Sequence, residues 1–189
     1  MNNNTNRAFS NTPERYAAFL RGINNIGSNV IKMEKLKLLF ESIGFKNVRT
    51  VQASGNVLFE TKRTDLASLT EIIEKKLEKE LGRKISALLR TVKEIQGIVD
   101  AKPFERIKIT PRTKLVITFL SEKPVAKLKL PYEPPEKDFK ILRSAKKEVF
   151  SVVTIKGNKY PNVAAFLEKT FGKNITSRHW STILKVIGK

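Results

Sequence analysis

The alternation of strand-like and helix-like segments constrains the fold of this chain more than any other feature of its sequence. In the first half, residues 15–21 are typical of a buried strand, residues 47–61 of a hairpin and residues 84–90 of a returning strand. Amphipathic segments with apolar residues at helical spacing separate them at 32–44 and 66–82. The resulting order, β-α-β-β-α-β, predicts a ferredoxin-like unit.

The second half repeats much of this order. Residues 114–121 predict a strand, 139–155 a hairpin around Ala145-Lys146-Lys147, and 161–172 a helix, while a short helix is an option at 123–130. The stretch LEKELGRKI at 77–85 also resembles LEKTFGKNI at 167–175, which indicates an internal duplication.

The two halves are predicted to differ at their ends, where the second closes with a helix. Trp180, Ile183, Leu184 and Ile187 recur at helical spacing, with Thr176 or Ser177 as the cap. We therefore predict an α+β protein of two tandem ferredoxin-like (βαββαβ-type) subdomains with a C-terminal helix. The predicted ranges are 1–12 for a disordered polar tail, 13–100 for the first subdomain and 101–189 for the second.

Composition limits the chemistry that is available to this chain. The 40% apolar and 29% charged content is that of a folded protein, and no segment is apolar enough for a membrane helix or a signal peptide, so we expect a cytoplasmic protein without a membrane partner. The absence of cysteine excludes disulfides and thiolate chemistry, and the single histidine, His179, excludes multi-histidine metal sites. No cofactor and no metal are expected, and the oligomeric state is left open.

Net charge suggests an anionic partner. The chain carries +19 overall; residues 1–100 hold 17 basic and 11 acidic residues, whereas residues 101–189 hold 20 and 7. Such an excess attracts polyanions, although a lysine-rich background composition would produce the same numbers. The basic residues that we predict to contact nucleic acid cluster after residue 100, with Glu105 among them: Lys102, Arg106, Lys108, Arg112 and Lys114.

The stretch LRGINNIGSN at 20–29 has the glycine spacing of a phosphate-binding P-loop but lacks the lysine that such a loop needs after Gly27. A Gly/Asn/Ser loop between a strand and a helix can instead hold an anion on its backbone, or simply form a turn. In a ferredoxin-like unit this loop and the hairpin after the second strand emerge at the same edge. The predicted ligand-binding residues at that edge, with two from the closing helix, are Arg21, Gly22, Asn24, Gly27, Ser28, Asn29, Ser54, Gly55, Asn56, Arg178 and His179.

Four segments, at 20–29, 48–59, 89–95 and 176–186, resemble the signature segments of an uncharacterised bacterial family, domain of unknown function 1697 (DUF1697). The resemblance runs from about Tyr16 to Val186 and implies an α+β fold with two similar subdomains and no established activity. The chain departs from the usual motifs where Ser28 replaces lysine and where Ser177, His179 and Ser181 replace threonine, asparagine and asparagine.

Two functional hypotheses follow. The first is a non-catalytic protein that binds nucleic acid or a nucleotide-like anion through its basic surface and the Gly/Asn/Ser edge. The alternative is an enzyme that acts on a small phosphorylated or carboxylated substrate at the same edge. His179 could serve as a general base there, but a histidine near a helix start is more often a solvated polar residue, and no catalytic residue is assigned.

Overall fold

A computed structural model describes residues 9–23, 30–124, 128–157 and 160–189, with side chains from residue 11 onward. The chain divides into two compact units, one up to Gly97 together with Val186–Lys189, and one comprising Ile98–Lys185. Within the described residues, no helix is both long enough and apolar enough to cross a membrane.

The first unit contains a four-stranded antiparallel sheet with the strand order β2-β3-β1-β4. This order, with one helix after the first strand and one after the third, confirms the ferredoxin-like prediction. Its elements, with the helix that leads out of it, are β1 (Phe9–Arg21), α1 (Met33–Ser42), β2 (Lys46–Val51), β3 (Asn56–Arg63), α2 (Leu66–Leu81), β4 (Ser86–Thr91) and α3 (Val92–Asp100).

Strand β1 begins at Phe9, so residues 9–12 belong to the sheet, and the prediction of a disordered tail as far as residue 12 is wrong. Phe9 pairs with Arg63 at the end of β3, beyond an irregularity in the register that precedes Glu14. Residues 11–13 are exposed. This first part of β1 lacks the alternation of apolar and polar residues by which a half-buried strand is recognised in a sequence.

Local capping signals fix the ends of the helices in this unit. The Asp65 carboxylate accepts hydrogen bonds from the backbone N–H groups of Ala67 and Ser68, and Gly82, in the left-handed conformation, is the C-cap of α2. At the junction of β4 and α3, Thr91 and Glu94 form a capping box: the Glu94 N–H donates to the Thr91 hydroxyl at 3.1 Å and the Thr91 N–H donates to the Glu94 carboxylate at 2.8 Å.

The second unit repeats the topology, with the antiparallel strand order β6-β7-β5-β8. The short helix considered at 123–130 falls partly on residues 125–127, outside the described residues, and no helix is present in the described parts of 121–138. The elements of this unit are β5 (Thr113–Leu120), β6 (Phe139–Ala145), β7 (Glu148–Thr154), α4 (Val163–Phe171), β8 (Ile175–His179) and α5 (Trp180–Val186).

The closing helix begins at Trp180, so the prediction of Thr176 or Ser177 as its cap is wrong. Residues 175–179 instead form β8, which pairs with β5 along its whole length. The Thr118 and Ser177 hydroxyls lie 2.8 Å apart across the two strands. The second half therefore ends as the first does, with a strand that leads directly into a helix.

Each sheet buries one face against its own helices or connections. In the first unit, the rings of Tyr16, Phe40 and Phe45 each pack on Phe59, at centroid distances of 4.3 to 5.6 Å. In the second unit, the strand registers put Ser151 of β7 where the first unit has Phe59 of β3, so the central ring of this cluster has no counterpart there. One aromatic cluster of the second unit therefore lies elsewhere, among Tyr132, Phe139 and Phe166.

Candidate anion-binding surfaces

The hairpin tip of the first sheet contacts the start of the loop after β1, as the topology predicted. The Leu20 N–H donates to the Gly55 carbonyl at 2.8 Å. A β-carbon at Gly55 would overlap Cγ2 of Ile23 and would lie 3.1 Å from Cβ of Leu20. The two segments therefore meet at one edge of the sheet. Their backbones approach so closely at position 55 that only glycine fits there.

An arginine that the sequence did not suggest holds the same loop. Arg83 donates from Nη1 to the Gly22 carbonyl and from Nη2 to the Ile23 carbonyl, both at 2.6 Å. The contact joins residues 60 and 61 positions apart, and no local pattern signals such a pair. Because both carbonyls accept from one planar guanidinium, Arg83 acts as a bidentate clamp on the loop.

Asn56 is part of the hairpin's own framework. Its side chain is 1% exposed, and Nδ2 donates to the Val51 carbonyl and to the Ser54 hydroxyl, both at 2.8 Å. Ser54 itself is exposed, whereas Gly55 is buried. Of the three predicted hairpin residues, only Ser54 therefore presents a polar side chain to solvent.

The rest of the predicted edge site is only partly described. Arg21, which pairs with Ser86 of β4, and Gly22, at a φ of +72°, are half-buried. The remaining loop residues of the prediction lie outside the described residues, and their ligand-binding role stays a prediction: Asn24, Gly27, Ser28 and Asn29.

Arg178 lies on β8, not on the closing helix, and its guanidinium is buried. Nη1 donates to the Thr176 hydroxyl at 2.7 Å and to the Ser177 carbonyl at 2.8 Å. Burial lowers the pKa of Arg178 to about 10, so the side chain remains charged at neutral pH. Its role as a ligand-binding residue stays a prediction.

The two sheets carry an arginine at equivalent positions. Aligning the two sheets on their β2-β3 and β6-β7 hairpins makes Ala17 of β1 equivalent to Ile117 of β5. Ala17 pairs with Arg90, and Ile117 pairs with Arg178. Arg90 is also buried and donates to the carbonyl of the preceding residue, Leu89, at 2.8 Å. A buried arginine at the fourth strand is thus a shared feature of both units.

Four of the predicted nucleic-acid residues lie in the loop that precedes β5, and Lys114 lies in β5 itself. Lys102, Arg106, Lys108 and Arg112 are exposed, and Lys114 is half-buried. Within the part of the chain that the structure describes, Lys102 pairs with Glu105 at 3.4 Å, while no ion pair forms at the other four. Their positive charge is therefore available to an anion.

Phe104 anchors this loop. It is 6% exposed, and its ring lies edge-on to those of Phe150 and Trp180, at centroid distances of 5.8 and 5.1 Å. An aromatic anchor of this kind fixes the backbone that carries the cations on either side of it. Trp180 is thus a packing residue of the second unit.

A backbone hydrogen bond ties the loop to the residue after β7, and the end of β7 is bonded in turn to the residue before β6. The Ile155 N–H donates to the Arg112 carbonyl at 2.9 Å, and the Thr154 N–H donates to the Asp138 carbonyl at 2.8 Å. The exposed Lys156, next to Ile155, is thereby brought close to Arg112, although about 40 residues separate the two in sequence. The Lys156 ammonium donates to the Glu136 carbonyl at 2.5 Å. We call residues 102–114 together with Lys156 and His179 the basic edge.

His179 belongs to this edge because of strand pairing. It is exposed at the end of β8 and pairs with Val116, two residues after Lys114 on β5. Burial of part of the ring, and then the charge of Lys114, hold the pKa of His179 below its usual range. The structure thus brings together two residues that the sequence had assigned to different sites.

The family of the chain follows from comparison with known sequences. The model of a protein family of unknown function, DUF1697, matches residues 14–150. The chain belongs to the DUF1697 family. No curated protein matches it.

A solved structure shares the fold of this DUF1697 protein. A conserved bacterial protein from Streptococcus pneumoniae superimposes with a TM-score of 0.66 at 20% sequence identity, over 93% of this chain and 97% of that one. At that identity the similarity shows the fold alone.

The residues that carry the DUF1697 resemblance are largely framework residues in this structure. Gly55 and Asn56 shape the hairpin, Arg178 is buried on β8, and Trp180 packs on Phe104. The basic edge is built mainly from residues outside those motifs. Among the described residues, no group of three or more His, Asp and Glu side chains could hold a metal ion.

Proposed function

We propose that this DUF1697 protein binds nucleic acid without catalysis, through the basic edge of its second unit. The observation that carries the proposal is a loop with exposed cations at Arg106, Lys108 and Arg112, none of them in an ion pair with a described residue. A nucleic acid presents a row of phosphates, and successive cations along a surface can contact several at once.

The contacts that hold the loop favour this proposal over the alternative that the positive charge is only background composition. Phe104 and the Arg112–Ile155 hydrogen bond hold the cations in place before any ligand arrives. Less conformational entropy is then lost on binding than with a flexible basic tail. Lys156 follows Ile155, whose N–H donates to the Arg112 carbonyl, so a cation from another segment of the chain lies beside the loop.

The alternative, an enzyme at the Gly/Ser/Asn edge of the first unit, has weaker support. The Asn56 amide is buried and bonded within its hairpin, and the Gly22 and Ile23 carbonyls accept from Arg83. These groups act on the protein's own backbone. The described residues thus leave Ser54 and the half-buried Arg21 as side chains that could meet a substrate.

Charge reversal tests the proposal. The double variant Lys108→Glu/Arg112→Glu is compared with Lys35→Glu/Lys79→Glu, which makes the same change in net charge on exposed residues of α1 and α2. Affinity for a labelled DNA duplex is measured between about 50 and 200 mM salt. We expect the first variant to lose about tenfold or more in affinity at low salt, and the slope of log affinity against log salt to become shallower by about two.

The control variant should retain most of the wild-type affinity and slope. Equal losses in both variants would show that net charge, not the basic edge, drives binding. Absence of duplex binding by the wild type at low salt would overturn the proposal.

A further inference from the structure

His179 and Lys114 are neighbours on one face of the second sheet. His179 pairs with Val116 across β8 and β5, and Lys114 is two residues from Val116 along the same strand, so its side chain points to the same face. Diagonal neighbours of this kind lie about 7–8 Å apart, a distance that one phosphate group can bridge. Both residues lie at the end of the sheet from which the basic loop emerges.

The charged groups around His179 are mostly basic. Lys114 faces it from β5 and, after burial, is the charge that lowers the pKa of its imidazole. Helix α4, which packs against β8, has no acidic residue in its first turn; Glu168 and Lys169 lie in the half that leads back to the start of β8, away from His179. Helix α5 adds Lys185 in its last turn. In the free protein the imidazole is therefore neutral at neutral pH.

Building on the nucleic-acid binding proposed above, we infer that His179 takes up a proton when a backbone phosphate binds beside Lys114, so that binding strengthens as the pH falls. The phosphate carries a negative charge in contact with the ring, which favours the imidazolium form. The pKa of His179 is then higher in the complex than in the free protein. Affinity rises as the pH falls from the bound pKa to the free pKa, by about tenfold for each unit that separates them.

The composition makes this effect unusually easy to assign. The chain has one histidine and no cysteine, so His179 is the side chain whose ordinary pKa lies between about 5 and 8. The α-amino group titrates higher, at about 7.7–8.0, and phosphodiesters do not titrate in this range. The DUF1697 motif that this segment resembles has asparagine at position 179, which supplies a substitution suited to the site.

The experiment measures the affinity of the wild type and of His179→Asn for a DNA duplex without terminal phosphates, at fixed ionic strength, from about pH 5.5 to about pH 8. The wild type should bind about three- to tenfold more tightly at the acid end, and His179→Asn should show a flat profile that meets the wild type near pH 8. An NMR titration of the single imidazole should show its pKa rising when the duplex is added.

A flat wild-type profile, an unchanged slope in His179→Asn or an unchanged imidazole pKa would each overturn this inference and leave nucleic-acid binding itself intact. Failure of both proteins to bind the duplex at low salt throughout the pH range would overturn the proposed function and the inference with it.

Discussion

Gly55 lies against Ile23 with a backbone φ of +73°, and the side chain of Ile23 occupies the space in which a β-carbon would be placed. The hairpin of the first sheet and the loop that follows β1 are thus fitted to each other through a residue without a side chain. Both the backbone conformation and the close approach require glycine here.

Gly55→Ala should lower the free energy of unfolding by about 2–4 kcal/mol, because the left-handed φ and the overlap with Ile23 each add a cost. Gly82→Ala is the matched control, since Gly82 has a φ of +66° but no atom within 4 Å of an added β-carbon. Its cost should be about 1–2 kcal/mol, from the left-handed φ alone. Urea unfolding of both variants measures the difference, and equal losses would show that the contact with Ile23 is not restrictive.

Arg83→Lys should lower the free energy of unfolding by about 1–2 kcal/mol, because an ammonium cannot donate to the Gly22 and Ile23 carbonyls in the same bidentate way. Hydrogen exchange at the first residues of the loop should also become faster. Arg106→Lys, at an exposed position, is the control and should leave both measurements unchanged. A variant Arg83→Lys with wild-type stability would contradict the clamp.

Asn56→Ala should cost about 2–3 kcal/mol of stability, since it removes two hydrogen bonds and leaves the Val51 carbonyl without this donor. Ser54→Ala, at the exposed partner, should cost less than about 1 kcal/mol. If instead Asn56→Ala unfolded like the wild type, its amide would be unimportant to the hairpin, and a ligand-binding role for it would regain support.

Phe104→Leu should destabilise the protein by about 1 kcal/mol and shift the fluorescence of Trp180, the single tryptophan, because the edge-on contact between the two rings is lost. Duplex affinity should fall although no charge has changed, since the loop that carries the cations is less well held. Ile109→Ala, at a side chain that is 66% exposed in the same loop, is the control. Unchanged affinity in Phe104→Leu would show that the loop needs no anchor.

Local signals in the sequence were sufficient for most of the fold. The apolar spacing of α1 and α2, the Asp65 cap, the left-handed Gly82 and the Thr91–Glu94 capping box all act within a few residues, so their outcome is visible in a short stretch of sequence. The order of those elements then determined the ferredoxin-like topology. The contact between the loop after β1 and the Gly55 hairpin followed from that topology.

Contacts between distant segments decided the rest. Residues 175–179 form a strand because β5 offers them an open edge, and the helical spacing that begins at Trp180 could not show where that pairing ends. Residues 9–12 are held beside β3 without any apolar pattern of their own. The stability of such a strand depends on a partner strand that is distant in the sequence. Local propensity and periodicity carry no information about that partner.

The candidate sites, too, were predicted in part by local sequence and decided in part by contacts between distant segments. Net charge, its excess in the second half and the cluster of basic residues from Lys102 to Arg112 could be counted from the sequence. The clamp at Arg83, the burial of Asn56 and the meeting of His179 with Lys114 depend on which strands and loops become neighbours. The sequence by itself therefore determined which residue types are present and where they lie along the chain. Whether a side chain contacts solvent, a carbonyl or another charge was decided only by the tertiary structure, because burial and pairing depend on segments that are distant in sequence.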